Sequence, residues 1–255
     1  MIRRLSGSGR LARRMPSVSR MTNLMLARAI LGLTAAATLA LGTNSALAAD
    51  PPSDRVLQVD RYTSDKGRAL GQKFQGPLRD LNAKVYHCMP WLEVKSEGIG
   101  FYKPKHIDGD VRYLSLNVIV DQQPAPEFTR LSVQERVSAM FSRYVPHLLR
   151  SMATSDLLKE PALEGFTVIV SWLKAEPTGG QPPVLETAAA FMPKPLVADY
   201  LRGRVGITQL ADGAHVLAWD GETKLGNVKP KAWVDDFVLT YKVAGYTPDP
   251  RATCP

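Results

Sequence analysis

One short segment contains the side chains best suited to bind a metal ion or to exchange protons. His106, Asp108 and Asp110 place an imidazole and two carboxylates close together in the chain, and such groups are common ligands of divalent cations. The ligand series of a calcium loop is incomplete there, and the pair Asp108-Gly109 is typical of a hairpin turn. We therefore treat the three residues as a candidate metal or acid cluster, with a polar turn as the alternative.

The histidines as a set do not form a recognisable metal motif. No two of them have the spacing of a metal-binding pair: His87, His106, His147 and His215. The H-E-x-x-H, C-x-x-C and calcium-loop patterns are absent from the sequence. The sequence therefore predicts no metal site of a known type and no cofactor.

Two matches suggest a nucleophile, and both have a simpler interpretation. Ser171 and Lys174 fit S-x-x-K, a spacing that brings the amine toward the hydroxyl on a helix. The surrounding residues predict a strand, on which side chains three positions apart point to opposite faces. Cys88 follows His87, but a catalytic thiol and its imidazole normally come from separate parts of a chain. The sequence thus identifies no catalytic residue.

A basic segment with one aromatic residue is the candidate binding site. Lys224, Lys229 and Lys231 precede Trp233, and this combination could contact an acidic partner or a glycan. Aromatic residues and Arg, but not Lys, are enriched at interfaces. The alternative is a solvated loop whose tryptophan packs into the core.

The first 48 residues have the three parts of a cleavable secretory signal. Seven arginines precede an apolar run from Ala29 to about Gly42, and no acidic residue occurs before Asp50. The small residues Ala46 and Ala48 then predict cleavage between Ala48 and Ala49. An uncleaved anchor helix is the alternative, but the run of about 14 residues is shorter than the roughly 20 needed to cross a bilayer. We therefore expect a periplasmic or secreted protein without a membrane span after cleavage.

Cleavage would also change the charge of the protein. The whole chain carries 32 Lys and Arg against 24 Asp and Glu, and seven of the basic residues lie in the predicted signal. The remainder, 25 basic against 24 acidic residues, is nearly neutral. A basic chain can indicate a nucleic-acid partner, but here the excess charge belongs to the predicted signal, so we expect no nucleic acid.

The two cysteines, Cys88 and Cys254, predict a disulfide bond. An even number of cysteines in an exported protein favours pairing. Closing so long a loop would stabilise the fold by about 5 kcal/mol in the chain-entropy treatment.

The pattern after residue 48 alternates strands and helices without a βαβ rhythm, which favours an α+β fold. We expect a mixed, largely antiparallel sheet packed with two or three helices. Residues 49–255 form a single domain in this interpretation, with a division into two lobes near 158–165 as the alternative. The predicted helices begin at Gly76-Pro77, at the capping box of Ser132 and at Pro195. The predicted strands are 56–59, 92–103, 111–121, 165–173, 184–192, 205–211, 215–219 and 237–243.

These observations favour a non-catalytic exported protein that binds an unidentified protein or small molecule. The competing hypothesis is an exported hydrolase whose acidic residues or His106 converge only in the folded chain.

Overall fold

The protein has an α+β fold, described here from a computed structural model over residues 53–122, 125–174, 183–233 and 254. All of these residues belong to one unit, Ala49–Pro255. Six strands form one sheet: β1 (Leu92–Tyr102), β2 (Tyr113–Val120), β3 (Gly165–Leu173), β4 (Leu185–Pro193), β5 (His215–Asp220) and β6 (Thr223–Asn227). The described residues also form seven α-helices, more than the two or three predicted: α1 (Asp65–Lys73), α2 (Gln75–Cys88), α3 (Pro126–Thr129), α4 (Val133–Met152), α5 (Ser155–Lys159), α6 (Lys194–Leu201) and α7 (Ile207–Gly213).

The strands lie side by side in their chain order. All neighbours are antiparallel except β2 and β3, which run parallel along their whole length. Parallel neighbours need a long crossover connection, and the segment that contains α3, α4 and α5 provides it. The predicted mixed, largely antiparallel sheet is therefore confirmed.

The capping box at the start of α4 is also confirmed. The Ser132 hydroxyl accepts a hydrogen bond from the backbone N–H of Glu135, and the Glu135 carboxylate accepts one from the backbone N–H of Ser132. The helix then continues through Pro146 to Met152. Its apolar stripe is buried, as its helical spacing predicts.

Two predictions of local structure were wrong. Residues 205–211 were expected to form a strand, but α7 occupies most of that segment. Ile207, Leu210 and Ala211 have helical as well as partly alternating spacing, and Leu210 and Ala211 bury one helical face. The segment 224–233 was expected to be a loop, but its beginning lies in β6.

The lead-in to β1 is more ordered than predicted. Instead of a strand over 56–59, Val56 makes a single bridge to Ile99, and a short 3-10 helix covers Val59–Arg61. Helix α1 follows, with the Ser64 hydroxyl accepting from the backbone N–H of Gly67. The predicted strand 237–243 lies outside the described residues.

One face of the sheet is covered by helices. Alternate residues of β2 and β3 pack there with helical side chains in a single core: Leu114, Leu116, Val118, Val120, Phe166, Val168, Val170 and Trp172. Glu186 of β4 is also on this face and is 0% exposed. It accepts hydrogen bonds from the guanidinium of Arg136 on α4 and from the indole N–H of Trp172.

The predicted disulfide is present, between Cys88 at the end of α2 and Cys254, with a Cα–Cα distance of 5.5 Å. Within the described residues, no helix is long and apolar enough to cross a membrane.

Candidate functional site

The face of the sheet opposite the helices forms a groove of about 960 Å³. None of its described lining residues belongs to a helix. We call it the sheet groove and define it by the side chains that β2, β3, β4 and β5 direct into it: Ser115, Asn117, Thr167, Ile169, Thr187, Ala189, Phe191, Leu217 and Trp219. The described lining is completed by Glu97, Gly98, the residues 102–106, and the hairpin residues Gly221 and Lys224.

Strand alternation explains why these residues share one face. Successive side chains of a strand point to opposite sides, so the core residues of β2 and β3 leave the intervening positions for the groove. The register then aligns them in rows across the sheet. In one row, Asn117 lies beside Ile169, Ile169 lies beside Ala189, and Ala189 lies beside Leu217.

The floor of the groove contains two hydroxyl groups that lack protein partners. Ser115 and Thr167 are only 5% and 3% exposed. They are register partners, and neither side chain hydrogen-bonds to any other residue in the described part of the chain. The buried Oδ1 atom of the neighbouring Asn117 is also without a partner there. A buried polar group without a hydrogen bond costs about 1–3 kcal/mol, and this applies to the Asn117 oxygen. The Ser115 and Thr167 residues line the groove beside it, so the three residues are suited to meet a ligand.

One wall of the groove is aromatic. The loop between β1 and β2 brings His106 against Phe191, with ring centroids 4.7 Å apart, and stacks it on His215 at 4.1 Å. Partial burial, followed by the charge of His215, lowers the pKa of His106 below its usual value. The imidazole is thereby favoured in its neutral form, which suits an aromatic wall.

Polar side chains near the next row of the sheet form hydrogen bonds with one another. Ser171 and Thr187 share a hydrogen bond of 2.9 Å between their hydroxyls, and the Lys95 ammonium lies 3.3 Å from the Ser171 oxygen. A serine beside a lysine can act as a nucleophile. However, Ser171 is 0% exposed and does not line the groove. Lys174, its partner in the S-x-x-K match, instead pairs with Asp220. We therefore interpret the contact between Ser171 and Lys95 as one that stabilises the sheet.

Three lysines at the edge of the groove are free of ion pairs. Lys103, Lys105 and Lys224 line it and are exposed, and no described residue forms a salt bridge or hydrogen bond with any of them. We call them the mouth lysines. The acidic residue of the lining, Glu97, already pairs with Arg61.

The predicted His106, Asp108 and Asp110 cluster is not brought together as a unit. His106 enters the sheet groove, whereas Asp110 pairs with Arg112. Asp108 is exposed. Over the described ranges, no group of three or more His, Cys, Asp or Glu residues could hold a metal ion.

The predicted binding segment is also divided between two places. Lys224 lies at the mouth of the groove. The backbone N–H groups of Lys231 and Trp233 donate to Ser138 and Ser142 of α4, at 3.0 and 2.8 Å. Lys229 is likewise held to α4, because its carbonyl accepts from Gln134. A binding role for Lys229, Lys231 and Trp233 stays a prediction.

Sequence reasoning missed the sheet groove, although one signal was available. The core positions of β2 alternate with Ser115 and Asn117. Polar residues on one face of a central strand indicate an uncovered or ligand-facing surface. The pairing of His106 with His215 has no comparable sequence signal.

Comparison with known proteins finds no match for this chain among protein-family models, curated proteins or solved structures.

Proposed function

We propose that this protein is an exported, non-catalytic binding protein that holds a small amphipathic organic molecule in the sheet groove. The observation that carries the proposal is the combination of three unpartnered polar groups, the Ser115 and Thr167 hydroxyls and the buried Asn117 Oδ1 atom, with an aromatic and aliphatic surround. Small-molecule sites are typically concave and mostly apolar, with a few polar groups that fix the orientation of the ligand. The groove volume of about 960 Å³ falls within the usual range for such sites.

Export is supported by two independent features. The first 48 residues have the pattern of a cleavable signal. The disulfide between Cys88 and Cys254 is of the kind that persists in oxidising compartments. Both are compatible with a periplasmic or secreted protein.

The exported hydrolase is the weaker candidate. A nucleophile must reach its substrate, and the buried Ser171 beside Lys95 does not. His106 lies in the groove, but no carboxylate in the described part of the chain hydrogen-bonds to its ring. A general base normally has such an orienting partner.

Native mass spectrometry of the protein recovered from an exporting host tests the proposal most directly. We expect a chain that begins at Ala49, contains the disulfide and retains a small molecule. Anilinonaphthalene sulfonate, an amphipathic fluorescent anion, then serves as a defined probe and should bind at one site.

A variant that fills the groove provides the decisive comparison. Ala189 directs its side chain into the groove, so Ala189→Phe should weaken binding of the probe at least about tenfold, which corresponds to about 1.4 kcal/mol. Ala83→Phe, at a half-buried position of α2 outside the groove, is the matched control and should bind normally. Equal binding by both variants would exclude the sheet groove as the site.

A further inference from the structure

The charge around the sheet groove indicates which class of ligand it takes. Resting on the proposed function, we infer that the ligand is a free amphipathic carboxylate. Its apolar body would lie along Ile169, Ala189 and Leu217, and its carboxylate would be attracted by the positive charge of the mouth lysines. The sequence-predicted segment Lys229–Trp233 has no part in this site.

The charges of the groove lining favour an anion. The three mouth lysines have no anionic partner among the described residues, and the acidic residue that lines the groove with them, Glu97, is already paired. Asp108 and Glu222 are exposed and do not line the groove. Glu97 pairs with Arg61, and Asp220 pairs with Lys174 at 2.7 Å. The mouth of the groove therefore has an uncompensated positive charge, and an anion would complement it. A cation would meet repulsion from Lys103, Lys105 and Lys224 instead.

An apolar strip across the sheet matches the apolar part of the ligand. Ile169, Ala189 and Leu217 are register partners on three adjacent strands. Because neighbouring strands lie about 4.8 Å apart, they form an apolar strip roughly 10 Å long across the sheet. Trp219 and Phe191 also line the groove. A medium-length alkyl chain or an aromatic ring matches this strip, whereas a small inorganic anion would leave it empty.

Two hydroxyl groups beside the strip are suited to donate hydrogen bonds to a carboxylate. Ser115 and Thr167 can donate hydrogen bonds as well as accept them. Hydrogen bonds to a charged acceptor are stronger than those between neutral groups. A carboxylate that reaches this row would therefore satisfy both hydroxyls, and the two lysines of the β1–β2 loop, Lys103 and Lys105, lie along the same groove.

Three ligands with the same ten-carbon chain separate charge from hydrophobicity. Decanoate, decanol and decyltrimethylammonium are titrated calorimetrically into the oxidised protein that begins at Ala49, below their aggregation concentrations. We expect decanoate to bind at least about tenfold more tightly than decanol at low salt, with decyltrimethylammonium the weakest. At about 1 M salt the Debye length falls to about 3 Å, so the preference for decanoate should largely disappear.

Two sets of lysine variants test which lysines attract the carboxylate of the ligand. Replacing the mouth lysines together, Lys103→Gln with Lys105→Gln and Lys224→Gln, should remove most of the preference for decanoate over decanol. Lys229→Gln with Lys231→Gln is the matched control because both residues are exposed but lie along α4. That variant should retain the full preference for decanoate, and a loss of preference there would overturn the assignment to the mouth lysines.

The outcomes distinguish this inference from the proposed function. If all three ligands bind equally and Ala189→Phe weakens all of them, the groove binds apolar molecules without regard to charge, and the inference is wrong while the proposed function stands. If Ala189→Phe changes none of the affinities, the proposed function fails as well. Binding to phosphatidylglycerol vesicles but not to monomeric decanoate would also contradict a free carboxylate ligand.

Discussion

The two faces of the same sheet differ in whether their polar side chains have hydrogen-bond partners. On the helix-covered face, Glu186 is fully buried, but its carboxylate receives hydrogen bonds from Arg136 and Trp172. On the groove face, the buried Oδ1 atom of Asn117 has no hydrogen-bond partner among the described residues, and these residues offer none to the hydroxyls of Ser115 and Thr167 beside it. Because a buried unpaired polar group is unfavourable, folding alone does not explain the groove face. The difference agrees with the proposal that the covered face stabilises the fold and the groove face binds a ligand.

The largest expected effect comes from breaking the buried ion pair on the covered face. Glu186→Ala leaves the Arg136 guanidinium without a counter-ion, and such a change typically costs about 3–5 kcal/mol. We expect a loss of that size in the free energy of unfolding, measured by denaturant titration.

A double variant separates the ion pair from packing. Arg136→Met with Glu186→Leu replaces both charges by apolar side chains, which is often neutral or stabilising for a buried pair. It should recover most of the stability that Glu186→Ala loses. If Glu186→Ala costs less than about 1 kcal/mol, the covered face does not depend on this pair, and the contrast between the two faces weakens.

A smaller effect is expected from threonines of the groove face. Thr187 hydrogen-bonds to Ser171 at 2.9 Å, so Thr187→Val should lower the free energy of unfolding by about 1 kcal/mol. Thr167→Val has the same chemistry at a hydroxyl without a protein partner. It should leave stability unchanged or slightly raised, and it should weaken decanoate binding by about two- to tenfold, the usual value of one hydrogen bond.

The two threonine variants are each other's control. Both remove one hydroxyl from neighbouring strands of the same face and conserve side-chain shape. If Thr167→Val destabilises the protein as much as Thr187→Val does and decanoate still binds normally, the Thr167 hydroxyl has a structural role and the distinction drawn here is wrong.

Local sequence signals predicted the covered face better than the groove. The alternation in β2 and the capping box at Ser132 depend on neighbouring residues, so they can be inferred from the chain itself. The contact of His106 with His215 joins residues from a loop and a distant strand, and only the sheet order brings them together. The helix α7 was missed because the spacing of Ile207, Leu210 and Ala211 fits two periods.

The smallest expected effect is a pH dependence that involves one histidine associated with each face. Burial lowers the pKa of His147 on α4, with nearby arginines contributing, and it also lowers the pKa of His106 in the groove. The folded protein therefore binds protons less readily at these sites than the unfolded chain, whose histidines titrate near pH 6.5. Stability should be constant between about pH 7.5 and 9 and fall as the pH decreases below about 6.5.

Single substitutions assign this pH dependence. Glu135 and Glu160 also have lowered pKa values, but the stability they contribute is lost only below about pH 4.5, outside this window. His147→Gln should therefore remove most of the decrease between pH 7.5 and 5.5. His106→Gln should remove less, because its side chain is exposed and its interactions are screened by water. If the two substitutions change the pH dependence of the free energy of unfolding equally, His106 is as well shielded from water as His147. That result would contradict a groove that is accessible to solvent and ligands.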